Sequence, residues 1–384
     1  MVSRILHFSG MMRWTSGMSS RLKSLGYDAE VIFFRDVFKI PFEGLQFLSV
    51  KETIVGRGIF ANLSSALDVA LLRTSYFKNG FPAKYAPEPW SWFSIPIISK
   101  YFFSFDLLIC YDQYSVISEF ALKKVKGIDY VVFTHESVAS WRTLFLRLFS
   151  GFVERLVFEG ATLRCAITQR TANESQNSLK IPFVVVCHWC NPHDNVTTKK
   201  QDFFLYDTRW NEIRNPFLIL EIARLWRDIK FVVSGSFVNS ELFNKFKNAI
   251  RKMELTKGVQ LKLDISENEL SFLCENAIPY FRWPTISKDG FVESGLSFGV
   301  YQALEAGCPL IVTKYLSISN ILLETDAALL VTHNAHDIAS AIFSLAPVRN
   351  LVVNMSEAAI RISRKWTWTN RAKALISYYE SGQG

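Results

Sequence analysis

The stretch from Gly290 to Thr313, Gly-Phe-Val-Glu-Ser-Gly-Leu-Ser-Phe-Gly-Val-Tyr-Gln-Ala-Leu-Glu-Ala-Gly-Cys-Pro-Leu-Ile-Val-Thr, decides the fold. Its front, Gly290 to Gly299, is rich in glycine and small polar residues, whereas Val300–Ala306 has helical composition and no breaker. A loop therefore opens into a helix. Gly307 stops that helix where a left-handed residue is wanted, Pro309 forbids its resumption, and Leu310-Ile311-Val312 reads as a short buried strand. A glycine-rich loop feeding a helix N-terminus presents unpaired N–H groups and the positive end of the helix dipole, which together suit a phosphate. From Ser297 to Glu305 the helix rises by about 12 Å. A ligand with its phosphates at the helix start thus brings its ribose near Glu305. The plainer reading is a buried helix with a solvated glutamate.

Upstream, Phe203-Phe204-Leu205-Tyr206 reads as a strand running into Asp207-Thr208-Arg209-Trp210-Asn211-Glu212-Ile213-Arg214-Asn215-Pro216, with a helix from about Phe217 to Arg227. Two arginines near a helix start oppose its dipole unless an anion joins them. A guanidinium holds phosphate oxygens with paired donors and stays charged at any working pH. Phe231–Ser236, Leu261–Leu263, a helix at about Glu267–Glu275, and Ala277–Phe281 continue the alternation of strand and helix. Lys365-Trp366-Thr367-Trp368 precedes a helical stretch, Asn370–Tyr379.

These residues resemble the retaining nucleotide-sugar glycosyltransferases of the GT-B fold, group 1 or family 4 type. In that family two glutamates eight positions apart precede an Ala, a Gly, a small residue, Pro and an apolar strand; here Glu305-Ala306-Gly307-Cys308-Pro309-Leu310-Ile311-Val312 matches the second half. Ser297 holds the place of the first glutamate, which in the family touches the donor sugar. Either Glu293, four residues earlier, substitutes for it, or the donor sugar differs. Arg209 and Arg214 keep the spacing of the family's two diphosphate-binding cations, with Asp207-Thr208 in place of its glycine. The resemblance implies two Rossmann-like, doubly wound α/β domains facing across a cleft. It places an acceptor-binding domain at 1–195, with a helix at about 369–384 returning to it, and a nucleotide-sugar-binding domain at 200–368. It is good over about 200–380, fair over 100–195 and weak over 36–100.

In the N-terminal half, Arg4–Ser9 reads as a strand, Gly10–Ser16 as a loop, Gly17–Leu25 as a helix and Ala29–Phe34 as a second strand. No Gly-x-Gly-x-x-Gly fingerprint marks a dinucleotide site. In the resembling family the loop after the first strand faces the cleft, where Gly17 would let backbone approach a phosphate or acceptor; the alternative is a plain tight turn. Strands at Phe105–Tyr111 and Tyr130–Phe133 end in Asp112 and Thr134-His135, at carboxyl ends where ligands of open α/β sheets collect. His135 matches the family's active-site histidine. Strands at Ala161–Thr168 and Phe183–Cys187 lead into a polar linker near Pro192–Gln201 that ends in Lys199-Lys200. Between Trp141 and Phe158 apolar residues repeat at helical spacing beside Arg142, Arg147 and Arg155. That is a core helix or, since many family members act on lipid-linked acceptors, a peripheral membrane contact.

Composition bounds these readings. At 384 residues, 49% hydrophobic and 20% charged, the chain is sized for two domains with sizeable cores. The formal charge of +8 is spread along the chain, which favours anionic ligands or an anionic membrane surface over a nucleic-acid groove. Most of the six cysteines lie in apolar settings, as reduced cytosolic thiols do. Cys187-His188-Trp189-Cys190-Asn191-Pro192-His193 has zinc-like spacing, but a structural site needs a second Cys/His pair that is missing nearby. No signal peptide is apparent, and Phe93–Cys110, interrupted by Pro96, Lys100 and Asp106, is a poor membrane span.

The sequence therefore predicts a cytoplasmic, metal-independent glycosyltransferase, possessing no cofactor beyond a UDP- or GDP-linked sugar as co-substrate and using a glycan or lipid-linked acceptor. No nucleic-acid partner is expected. By the resemblance, Arg209, Arg214, Phe298 and Gly299 hold the diphosphate, Glu305 the ribose, and His135 with Glu293 or Ser297 the sugar, with Gly17 and Asp112 at the cleft. The rivals are a GT-B protein that binds nucleotide-sugars without turnover, a glycosyltransferase acting on DNA or protein, and a membrane scaffold.

Overall fold

In a computed structural model the described residues are 4–8, 12–32, 105–110, 123, 127–134, 155, 158–186, 190–193, 200–208, 210, 215–235, 240–282, 298–314, 316, 318–345 and 348–382. They form two compact units, Met1–Cys187 with Trp368–Gly384, and His188–Thr367. The first unit begins with β1 (Arg4–Phe8), α1 (Met12–Ser24), β2 (Asp28–Ile32), β3 (Leu107–Cys110), β4 (Asp129–Thr134), β5 (Leu163–Ala166), α2 (Gln169–Leu179) and β6 (Val184–Val185). The second holds β7 (Phe203–Asp207), α3 (Leu218–Leu225), β8 (Lys230–Gly235), α4 (Ser240–Lys252), β9 (Val259–Leu263), α5 (Glu267–Asn276), β10 (Tyr280–Arg282) and α6 (Phe298–Glu305). It continues with β11 (Leu310–Thr313), α7 (Ser319–Leu323), β12 (Ala328–Val331), α8 (Ala335–Leu345) and α9 (Arg349–Lys365), before α10 (Trp368–Glu380) returns to the first unit.

Each unit is built on a parallel sheet. In the first the strand order is β2-β1-β3-β4-β5-β6, and in the second β12-β11-β10-β7-β8-β9. Parallel strands connected by helices are covered on both faces, so their sequences run apolar without alternation. Leu107–Cys110 and Leu310–Thr313 are buried at every position, as such strands must be. In the second unit Phe204 packs between Phe231 and Phe281, with ring centroids 5.7 and 5.9 Å away. That aromatic stack lies within a core cluster drawn from the sheet and from α3, α4, α8 and α9.

One sequence reading in the first unit is corrected. The residues from Met12 to Gly17 are helical, and Gly17 lies inside α1, not at the end of a loop. A Cβ on Gly17 would fall 2.5 Å from Trp368 Cε2. Glycine is there so that the indole at the start of α10 can seat against α1, which a turn-based reading of glycine does not foresee. The amphipathic stretch Trp141–Phe158 lies almost wholly outside the described residues. Among the described residues no single helix is long and apolar enough to cross a membrane.

α10 is also tied at its far end. Asp129, the first residue of β4, accepts bonds at Oδ1 from Thr162 Oγ1 (2.6 Å) and at Oδ2 from the Tyr379 hydroxyl (2.8 Å). Lys123 Nζ stands 3.3 Å from Oδ1. Burial by itself would raise this carboxyl's pKa, but the bonds from Thr162, Tyr379 and Lys123 outweigh it and hold the group below the usual carboxylate range. Burial and the carboxylate it donates to push the Tyr379 phenol upward.

A carboxyl whose folded pKa is depressed stabilises the fold above its unfolded pKa of about 3.9, and that contribution is lost as pH falls through the lower folded value. Asp129→Asn should therefore lower the melting temperature by a constant amount from pH 7 to about pH 5, with the gap narrowing below about pH 4. A gap unchanged down to pH 3 would remove Asp129 as the origin.

Candidate functional site

In the second unit the chain enters at β7, runs outward through β8 and β9, then crosses back over β7 to β10, β11 and β12. Strand order reverses between β7 and β10, and ligands of open α/β sheets bind beyond the carboxyl ends of the strands at such a reversal.

The carboxyl end of β7 is held with little freedom. Ser234 Oγ donates to Asp207 Oδ1 (3.0 Å), Thr208 N donates to Ser234 O (3.0 Å), and the buried Tyr206 hydroxyl donates to Thr208 Oγ1 (3.1 Å). Gly235, at φ 144°, lies so close that a Cβ would fall 1.7 Å from Thr208 O. Only glycine permits that backbone approach. Thr208 and Trp210, on either side of Arg209, are both buried, and Trp210 packs edge-on against Phe243 and Phe246 at 5.0 and 4.9 Å. Thr208 and Trp210, the neighbours of Arg209, are thus fixed beside the reversal point, and Asn215, at φ 40°, leads into α3. Arg209 and Arg214 themselves lie outside the described residues, as do Asp112, His135, Glu293 and Ser297. His135 follows directly on Thr134, the buried last residue of β4.

α6 begins at Phe298, two residues before the composition predicts. Gly299, in its first turn, is buried against β10 and the end of β7: a Cβ there would fall 1.9 Å from Tyr280 Oη and 3.4 Å from Asp207 Oδ2. The positive end of the helix dipole therefore opens at the strand reversal, beside the Asp207 carboxylate. Gly307 ends the helix at φ 60°, as its sequence position predicts.

At the other end, Glu305 closes the helix with its carboxylate bonded: Asn191 N donates to Oε1 at 2.7 Å, and His193 N donates to Glu305 O at 3.4 Å. His193 Nδ1 lies 2.8 Å from Glu275 Oε1, and its Nε2 lies 3.4 Å from Ser271 Oγ. Lys200, read from sequence as the polar end of a linker, is only 6% exposed. Its Nζ donates to Glu275 O (2.8 Å) and Ala306 O (3.3 Å), so one ammonium serves the C-terminal ends of both α5 and α6. Burial pulls its pKa below the usual lysine value. Nothing in its neighbourhood of sequence marks it as buried, and Asn191 likewise acts through its main chain, which composition does not reveal.

The thiols nearby are buried. Burial pushes Cys274 well up and Cys308 up to about 12, and burial together with the Glu305 charge raises Cys190. Cys190 pairs with Thr367 through the backbone, and His193 is engaged with Glu275; among the described residues no group of three His, Cys, Asp or Glu is placed to hold a metal.

Because Gly299 meets the Tyr280 hydroxyl, Gly299→Ala should cost about 1–3 kcal/mol of stability, as overpacked sites do. Tyr280→Phe in the same chain should recover part of the loss, since the ring carbon at 2.7 Å remains. Equal melting temperatures for the single and double variants would show that the hydroxyl is not the obstacle.

Residues 191–362 match the family described as Glycosyl transferases group 1. No curated protein matches the chain in sequence. Among solved structures, sucrose-phosphate synthase from Thermosynechococcus elongatus aligns with TM-score 0.72 at 11% identity, covering 99% of this chain and 98% of its own. HepE from Anabaena, in complex with UDP and glucose, aligns at 0.71 and 12%, covering 99% and 100%. A mutant of TarM from S. aureus, in complex with Fondaparinux, alpha-GlcNAc-glycerol and UDP, aligns at 0.66 and 13%, covering 98% and 99%. At these identities the structures establish the fold. With that fold and a group 1 domain over residues 191–362, the chain is a glycosyltransferase of GT-B architecture.

Proposed function

We propose that the protein transfers a sugar from a UDP- or GDP-linked donor to a glycan or lipid-linked acceptor, with retention and without a metal, as a family 4 type enzyme of the cytoplasm. The observation that carries this reading is the seat of α6 in the matched domain: its first turn opens at the β7/β10 reversal, and Glu305 stands at its far end. Two of the similar structures hold UDP, one of them beside glucose and the other beside sugar ligands.

Glycosyl transfer builds positive charge at the anomeric carbon and negative charge on the departing diphosphate. Donors aimed at that developing charge supply much of the catalysis. On this reading Arg209, Arg214 and the N–H groups of Phe298 and Gly299 take the diphosphate, in the place a metal would otherwise fill. Glu305 takes the ribose, and His135 with Glu293 or Ser297 orients the sugar. Asp112 belongs with the acceptor side in the first unit, as does the basic, aromatic Trp141–Phe158 segment, which would contact an anionic membrane surface. Gly17 leaves this set, since its place is inside α1.

A second reading, donor binding without turnover, is favoured by two observations. Ser297 stands where the resembling family has a glutamate. Asp207 also puts a carboxylate beside the N-terminus of α6, where a diphosphate meets a like charge.

A thermal-shift screen against UDP-, GDP- and other nucleotide-sugars tests the reading, with the Arg209→Ala, Arg214→Ala double variant alongside. A donor at a hundred times its Kd should stabilise the native protein by about 2.7 kcal/mol. One donor class should give the shift and the double variant should lose it. Absence of any shift in a folded sample would sink the donor-site assignment. Binding without release of nucleoside diphosphate in the presence of acceptor extracts would select the second reading.

A further inference from the structure

We propose that Asn191 is a positioning residue for the donor's ribose, its main-chain N–H fixing the Glu305 carboxylate in the orientation that receives the ribose hydroxyls. The inference rests on the reading of Glu305 as the ribose ligand and adds how that ligand is held. Glu305 is the last residue of α6, so its charge faces the negative end of the helix dipole, an unfavourable place for a carboxylate. A compensating donor is needed, and the 2.7 Å bond from Asn191 N to Oε1 supplies it. A short N–H···O bond to a charged oxygen is among the stronger kinds. A carboxylate offers about four acceptor sites, and a main-chain N–H on Oε1 takes up only part of that capacity.

The donor is itself anchored. His193 N bonds Glu305 O at 3.4 Å, and His193 Nδ1 lies 2.8 Å from Glu275 Oε1 on α5. Cys190, immediately before Asn191, is buried and bridges to Thr367. Below, Lys200 holds the carbonyl of Ala306, the residue after Glu305. The carboxylate is thus gripped by its side chain and its backbone in the absence of any ligand, which is the preorganisation a recognition group requires. A contact serving only the helix end would need the carbonyl bonds and not the side-chain one.

The test compares the affinities of UDP with 2′-deoxy-UDP and of GDP with 2′-deoxy-GDP by calorimetry. The proteins are the native chain, Asn191→Pro, which lacks the N–H, and Asn191→Ala, which keeps it. A fourth protein carries an ester in place of the Asn191 amide; it removes the N–H without a proline ring and decides the matter if Asn191→Pro does not fold. The native chain should prefer the ribonucleotide about tenfold or more, as sites built to bond a hydroxyl do. The ester and proline variants should lose most of that preference while their affinity for the deoxy form changes little, and Asn191→Ala should retain it. A preference that persists without the N–H, or an equal loss for both nucleotides, overturns the proposal and leaves the ribose reading standing. A native chain that binds the diphosphates without preferring the ribo form overturns the ribose reading of Glu305 itself. Failure to bind any of them overturns the donor site.

Discussion

The second unit depends on one buried cation. The ammonium of Lys200 has left water at a cost on the order of several kcal/mol, and two helix-terminal carbonyls offset part of it. Those carbonyls, of Glu275 and Ala306, belong to the orphan acceptors that every helix leaves at its C-terminus, where the dipole is negative. One side chain therefore answers the needs of two helices at once, immediately before the chain enters β7. Burial holds its pKa below the usual lysine value even with those partners in place. A helix held at one end is held at the other. Fixing the C-terminal end of α6 fixes where its first turn meets β10, about 12 Å away.

The central strands were legible because they are short apolar runs bounded by polar or turn residues, and Leu107–Cys110 and Leu310–Thr313 appear where that pattern puts them, whereas β12 (Ala328–Val331) was not foreseen. Gly307 was legible for the same local reason: a helix end wants a left-handed residue, and Pro309 follows. Lys200 was not, because two adjacent lysines in a polar stretch look like a solvated linker, and only tertiary contact shows that the second is buried. Asn191 was hidden more deeply still. Its contribution is a main-chain N–H, which every residue but proline carries. Of the candidate site residues named from sequence, the described ones are Gly17, Phe298, Gly299 and Glu305, and the last three share one helix.

Glycine illustrates how the same residue answers different constraints. At Gly307 the reason is conformational, a φ of 60°. Gly299 and Gly17 have another reason, the absence of a Cβ where an aromatic side chain already sits, Tyr280 in one case and Trp368 in the other. Gly235 combines both, with φ 144° and the Thr208 carbonyl where a side chain would begin. Turn propensity predicts only the first kind. The second depends on which element packs across the helix, and that is why Gly17 reads as a loop residue in sequence and belongs to a helix–helix contact in the fold.

Asp207 sets the electrostatic terms of the proposed donor site. Its carboxylate is oriented by Ser234 and stands beside the first turn of α6, near a helix terminus worth about half a positive charge. A diphosphate arriving there displaces nothing that is neutral: it must share the dipole with a resident anion. On the proposed reading the balance is restored by Arg209 and Arg214, two residues permanently charged, on the segment that begins two positions after Asp207. Where this chain has Asp207-Thr208 before Arg209, the resembling family has a glycine, which brings no charge. On that reading an acid here makes the two arginines more necessary to donor binding, because the helix terminus has an anion beside it already. On the same proposed reading it gives the leaving group a neighbour that repels it once the glycosidic bond has broken, which favours release of the nucleoside diphosphate over its retention.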